Sequence, residues 1–150
     1  MTTTPTNPTA LINSATEFGA RAARRLRDER IIWLTTTRVD GTPQPSPVWY
    51  LWDEGEEESF LIFSYPKTQK LRNIARNPIV GLHLNGDRAG NDIVVLTGVA
   101  RIVPDAPPVP QVPDFVRKYE EEFRTWSSPE EMGRDFSVSI RVTPTGLRGF

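Results

Sequence analysis

The chain has 150 residues, 37% hydrophobic and a quarter charged, with a formal net charge of −1 at pH 7. That balance fits one soluble globular domain and gives no overall attraction to nucleic acid or an anionic membrane. The lack of cysteine excludes disulfides, thiolate metal sites and a cysteine nucleophile together, and a cytoplasmic protein is expected because no membrane-length apolar run or signal-peptide pattern occurs.

Residues 1–9 are rich in Thr and Pro, so a disordered tail is expected over 1–13, with one domain over 14–150. Ser14 and Glu17 have the S-x-x-E spacing of a capping box. They predict a helix running to about Arg30, with Phe18, Ala22 and Leu26 along one face. Arg21, Arg24, Arg25, Arg27 and Arg30 crowd the other faces, partly balanced by Glu17, Asp28 and Glu29. This reads as the solvated face of a docked helix, with nucleic-acid binding as the alternative. Ile31–Thr37 is β-branched and aromatic and predicts a strand. Asp40-Gly41 predicts a hairpin turn and Ser46–Trp52 the returning strand. An acidic turn, Asp53–Glu58, leads to a third strand at Phe60–Tyr65, which would complete a meander.

Thr68 is placed to cap a short helix whose Leu71, Ile74 and Ala75 face inward and which Asn77-Pro78 stops. In the next strand, Val80–Asn85, the residues Val80, Leu82 and Leu84 share a face. Gly86–Asp92 turns the chain into a long strand, Ile93–Val103, where Gly98 marks a bulge or a close backbone approach. The proline-rich segment 104–113 reads as a surface loop. A helix follows from about Asp114 to Trp126, with Phe115, Tyr119 and Phe123 (or Val116) inward, and Ser128-Pro129 opens another. Phe136, Val138, Ile140 and Val142 alternate along the last strand, before the tail Gly146–Phe150. Strands in antiparallel succession with helices inserted singly predict a mainly β fold, a small barrel with peripheral helices.

The chemistry available to the side chains is narrow. His83 is the sole histidine and reads as a surface or interface residue on the polar phase of its strand. There is no G-x-S-x-G elbow, dinucleotide fingerprint or Walker loop, and no carboxylate cluster has metal-ligand spacing. No catalytic residue or metal site can be named, so a cofactor would carry any chemistry. The stretch Ser64–Pro78 is the most informative. A strand ends, a polar loop follows, and a helix opens with Lys67 and Lys70 beside the Ser64 and Thr68 hydroxyls. Free amides at a helix start, with nearby ammonium groups, suit a phosphate, although a capped helix with first-turn lysines is the plainer alternative.

The order strand, DG turn, strand, strand, S-x-x-x-T-x-K-x-x-N-I-x-x-N-P, strand resembles the pyridoxamine 5′-phosphate oxidase-like split-barrel superfamily. More narrowly, PSPVWYLWD (Pro45–Asp53), KTQKLRNIARNPIV (Lys67–Val80) and RVTPTGLRGF (Arg141–Phe150) resemble its actinobacterial branch that uses the deazaflavin coenzyme F420. The vitamin B6 oxidases hold the FMN phosphate with Ser-Arg-Lys where this chain has Thr68-Gln69-Lys70. They also carry an R-x-x-L-L-K strand where it has VWYLWD (Val48–Asp53). These departures argue against oxidation of pyridoxamine phosphate.

The resemblance implies an FMN-binding-like split barrel and a homodimer in which two protomers complete each site. It implies that Ser46, Pro47, Val48 and Trp49 line the ring site, Trp49 being equally readable as a plain core aromatic. Ser64, Lys67, Thr68, Gln69 and Lys70 would hold the phosphate, Arg148 or Arg72 would meet further anionic charge, and the segment near Phe150 would reach the partner's cofactor. The activity implied is an F420-dependent oxidoreductase passing hydride to a conjugated small-molecule acceptor. The alternatives are an FMN-dependent oxidase or reductase, a non-catalytic flavin-binding protein, or a barrel without cofactor. No nucleic-acid or membrane partner is expected.

Overall fold

In the computed structural model, which describes residues 11–55 and 57–150, helix α1 (Glu17–Asp28) is capped by Thr16 rather than Ser14. The Thr16 hydroxyl accepts from the Gly19 amide at 2.9 Å, and the helix ends two residues before Arg30. Most of the tail expected over 1–13 falls outside the described residues, but Ile12 is only 6% exposed and packs with the core. Ala22 and Leu26 are buried as the spacing predicts, with Gly19 and Ala23 beside them. Arg21, Arg25, Arg27 and Arg30 each meet a carboxylate of this chain. Arg25 also donates to the main-chain oxygen of Asn85, which pins the helix to a distant turn.

Strands β1 (Ile32–Thr37) and β2 (Pro43–Val48) form the expected hairpin. Gly41 takes φ 87° in the loop, a left-handed conformation that glycine adopts without strain. The returning strand does not continue to Trp52. It breaks at Trp49-Tyr50, and β3 (Leu51–Asp53) pairs with β4 (Ser59–Ser64) instead of extending the first hairpin. Beyond α2 (Gln69–Arg76) come β5 (Ile79–His83) and β6 (Val94–Val103). After the proline-rich segment come three short helices, α3 (Pro113–Lys118), α4 (Glu120–Thr125) and α5 (Pro129–Asp135), and then β7 (Val138–Gly149).

The sheet order is β2-β1-β5-β6-β7-β4-β3, all pairs antiparallel, so the expected meander is replaced by a crossover from one edge to the other. Two residues make that crossover. They allow the Cα atoms of Val48 and Leu51 to be at most about 11 Å apart. A flat sheet of this width would hold its edge strands about 29 Å apart. The sheet must therefore curl until its edges meet, and the fold is a split β-barrel.

Its interior is filled by Ile32, Leu34, Tyr50, Phe60, Ile62, Leu82, Leu96, Ile140 and Val142, with Leu26 of α1 at one end. A second apolar cluster lies outside the barrel. There Leu61 and Phe63, on the opposite face of β4, pack on Val109, Phe115, Tyr119, Phe123 and Met132. That is why β4 is buried along its whole length. The helix expected over 114–126 is divided at Tyr119, whose φ of −105° and ψ of 19° interrupt the turn. The break turns the phenol inward. Its hydroxyl donates to Arg30 O at 2.7 Å and accepts from the Tyr50 amide at 2.9 Å. The proline-rich segment is anchored by a single 3₁₀ turn, Val109–Gln111, with Val109 fully buried. Ser128 caps α5 as expected, accepting from the Glu131 amide.

Gly98 sits at a register shift between β6 and β7, the bulge its position in the sequence predicts. A Cβ there would lie 2.7 Å from Val142 Cγ1 and 3.0 Å from Thr143 O. Gly98→Val is expected to cost roughly 1–3 kcal/mol through overpacking. The urea midpoint should fall with an unchanged slope, and an unmoved midpoint would show that the bulge absorbs the side chain. The tail Gly146–Gly149 is part of β7, paired residue for residue with Val94–Thr97.

Candidate cofactor site

At the crossover the alternation of β2 divides the side chains between the two apolar clusters. Val48 and Tyr50 turn into the barrel, while Trp49 turns to the helices. The indole of Trp49 lies flat on Tyr119, with ring centroids 4.3 Å apart and planes 2° from parallel. Phe123 and Trp126 meet it edge-on at 5.6 and 5.5 Å. So held, Pro47, Val48 and Trp49 form one wall of a cavity of about 220 Å³. Lys70 of α2 lines it too, with Trp126, Met132 and Phe136 from the α4–α5 side, and Ile31 and Phe63.

Among the described residues Lys70 is the one titratable group lining that cavity. Burial alone lowers its pKa from the ordinary lysine value, with no charged neighbour contributing. An ammonium against aromatic and aliphatic walls, without a carboxylate of its own, is arranged for an anion from outside the chain. The start of α2 adds to this. Thr68 occupies the N-cap position yet makes no side-chain capping bond, so the first-turn amides are not satisfied by it. Ser64 Oγ donates to Tyr65 O at 2.9 Å and lies 3.3 Å from Thr68 Oγ1. Lys67 is exposed in a left-handed conformation, φ 62°, and its carbonyl accepts from Arg72.

The orientation of α2 is set by a buried amide. Asn73 donates to Thr36 Oγ1 at 3.0 Å and to Gln44 Oε1 at 2.9 Å, and accepts from Gln69 Nε2 at 2.8 Å. Those bonds join the helix to the β1–β2 hairpin and so fix the start of α2 relative to the strand that leads to Trp49. Asn73 is inward where Ala75 was expected, and Ala75 is exposed.

Of the residues named from the sequence, Pro47, Val48, Trp49 and Lys70 meet in one cavity, and Ser64, Lys67, Thr68 and Gln69 surround the helix start next to it. Gln69 is engaged with Asn73 and Arg72. Ser46 pairs with Leu34 on β2 and does not line the cavity. Arg148 lies elsewhere, in a hollow of about 430 Å³ on the sheet, with His83 and Thr97. His83 stacks on Trp33 there, centroids 6.2 Å apart. Trp126, Met132 and Phe136 were missed. An aromatic closing a charged helix was the one signal for Trp126, which is 62% exposed. Among the described residues no group of three or more His, Cys, Asp or Glu stands together, and no helix is long and apolar enough to cross a membrane.

A curled seven-stranded antiparallel sheet, with an aromatic cavity and an ammonium beside a helix start, is a split β-barrel with a candidate anion-binding cavity at its crossover. A family model for pyridoxamine 5′-phosphate oxidase matches residues 18–149, and the chain belongs to that family. Among solved structures, an F420 reductase is 27% identical with a TM-score of 0.63, covering 83% of this chain and 94% of its own. A conserved hypothetical protein from Mycobacterium tuberculosis is 24% identical with a TM-score of 0.70, covering 95% and 88%. A heme storage protein from Vibrio cholerae is 15% identical with a TM-score of 0.58, covering 85% and 91%. No curated protein matches the chain.

Proposed function

We propose that the protein is an F420-dependent oxidoreductase that passes hydride to a conjugated small-molecule acceptor. The observation that carries this reading is Lys70, a half-buried ammonium without a carboxylate, facing Trp49 across a cavity lined otherwise by uncharged side chains. A planar ring whose side chain carries a phosphate suits both features at once. Lys70, the first-turn amides of α2 and Lys67 would hold the phosphate, while Pro47, Val48 and Trp49 would flank the ring. The apolar VWYLW strand and the likeness to an F420 reductase favour the deazaflavin over FMN.

Bound there, the deazaflavin supplies the ring that gives or takes hydride. The chain's part is to orient it, exclude water and hold its charge. Among the described residues no carboxylate or histidine lines the cavity. Trp126 offers an exposed indole face on which a conjugated acceptor can stack. At about 220 Å³ the cavity is smaller than the ~300–1,000 Å³ of ordinary ligand pockets. A second copy of the chain would complete it, and the reading therefore includes a homodimer.

Fluorescence-quenching titration of the apoprotein with F420 and FMN, run in parallel, tests the reading. F420 is expected to bind at least tenfold more tightly. Tight FMN binding without F420 binding would move the assignment to an FMN enzyme, and binding of neither would leave a barrel without cofactor.

A further inference from the structure

A larger cavity, about 790 Å³, lies between the end of α1, β3 and α3, and the proposed cofactor site makes no use of it. Lysine choice draws attention to it. Of eighteen basic side chains fifteen are arginine, and the three lysines are Lys67, Lys70 and Lys118. Two of them bracket the start of α2. The third lines this cavity beside three arginines, Arg27, Arg30 and Arg117. Arginine keeps its proton at any physiological pH, whereas a buried lysine gives it up readily and becomes a nucleophile.

The Lys118 ammonium is held in place. It donates to Tyr50 O at 2.8 Å and lies 3.6 Å from the centre of the Tyr50 ring. Burial first, and the charge of Arg30 second, push its pKa down to about 7, against the opposing pull of Asp28, Glu29 and Glu122. Arg30 is fixed, pairing with Glu122 and donating to the Lys118 carbonyl. Arg27 pairs with Glu54 and Arg117 with Asp114, both through partly exposed side chains. Exposed pairs of this kind are weak, so Arg27 and Arg117 can each exchange a carboxylate for an incoming phosphate, while the fixed Arg30 adds positive charge beside them.

We propose that Lys118 is a covalent modification site that accepts the acyl group of small acyl phosphates docked on Arg27 and Arg117. In the step, the Lys118 nitrogen lone pair attacks the acyl carbon and the C–N bond forms. The C–O bond to phosphate breaks, phosphate leaves with that electron pair, and the nitrogen's surplus proton passes to it. The product is a neutral amide in place of a cation on the Tyr50 ring. Tyr119, the next residue, stacks on Trp49. Acylation thus acts one residue from the wall of the Lys70 cavity, and it stands whether or not that cavity takes a deazaflavin.

The test uses the unaltered full chain with acetyl phosphate at pH 7.5, followed by peptide mass mapping over time. Lys118 is expected to be acetylated at least tenfold faster than the exposed Lys67, and excess inorganic phosphate should slow it several-fold. Equal rates at the two lysines would overturn the proposal, as would a Lys118 rate indifferent to phosphate. Lys118→Arg should abolish the fast adduct. Because the wild-type comparison decides the matter alone, a folding defect in that variant does not blunt it.

Discussion

Lys70→Ala is expected to weaken cofactor binding by one to two decades while leaving the apoprotein's melting temperature unchanged or slightly higher. A lost charge-assisted contact to phosphate costs roughly 1.5–3 kcal/mol, which gives that range in affinity. The stability side follows from linkage. Burial lowers the Lys70 pKa below the usual 10.5, so the folded chain binds fewer protons than the unfolded chain between the lowered value and 10.5. Stability therefore rises with pH across that interval, and below it the penalty of the buried charge is present in full. Removing the amine removes both the penalty and the slope. A bound phosphate has the opposite effect, since it favours the charged amine. Affinity in the wild type should accordingly decline as pH rises through the same interval, and that decline should be absent in Lys70→Ala. Titration at several pH values beside thermal melts checks all of this. Equal affinity in the two proteins would place the phosphate elsewhere.

Trp49→Ala should harm both the fold and the site. The indole covers the Tyr119 ring and meets Phe123 and Trp126, so truncation leaves a void between the barrel and its helices. A loss of roughly 2–4 kcal/mol is expected, less than for a fully buried tryptophan because Trp49 is partly exposed. That corresponds to a fall of roughly 5–15 °C in melting temperature for a chain of this size. Cofactor affinity should drop at least tenfold in the fraction that remains folded. Trp49→Phe keeps an aromatic face against Tyr119 and should recover most of the stability. A melting temperature within a degree or two of wild type in Trp49→Ala would show that the stack carries little.

Elements with strong local pattern were legible in the sequence. The alternation Val80-Leu82-Leu84, the helix start at Thr68, the cap at Ser128 and the bulge glycine Gly98 all depend on neighbours within a few residues. What escaped depends on partners far along the chain. SPVWYLW has one continuous β pattern, and nothing local says that Val48 and Leu51 pair at opposite edges of a sheet. Tyr119 fits a helix by spacing, but its hydroxyl bonds to Arg30 O and the Tyr50 amide, and those distant bonds divide the helix. Thr16 displaced Ser14 because its hydroxyl reaches the Gly19 amide, a contest between two adequate caps that spacing does not decide. The site shows the same division. Lys70 and Trp49 stood out through their own segments, whereas Trp126, Met132 and Phe136 join them only through folding of the helical layer.

The position of β7 bears on how the molecule comes to exist. In chain order it follows every other strand, yet in the sheet it stands between β6 and β4, with four strands on one side and two on the other. As the chain is synthesised from its N-terminus, both flanking groups exist before anything can join them. Until residues 138–149 have been made, β4 and β6 each present an open edge of unpaired amides and carbonyls. In the finished sheet the last strand is therefore the central joint between two groups of earlier strands, not an addition at an edge. Truncation before residue 138 would leave the β4 and β6 edges open together, with the Trp49-Tyr50 link still tying β2 to β3.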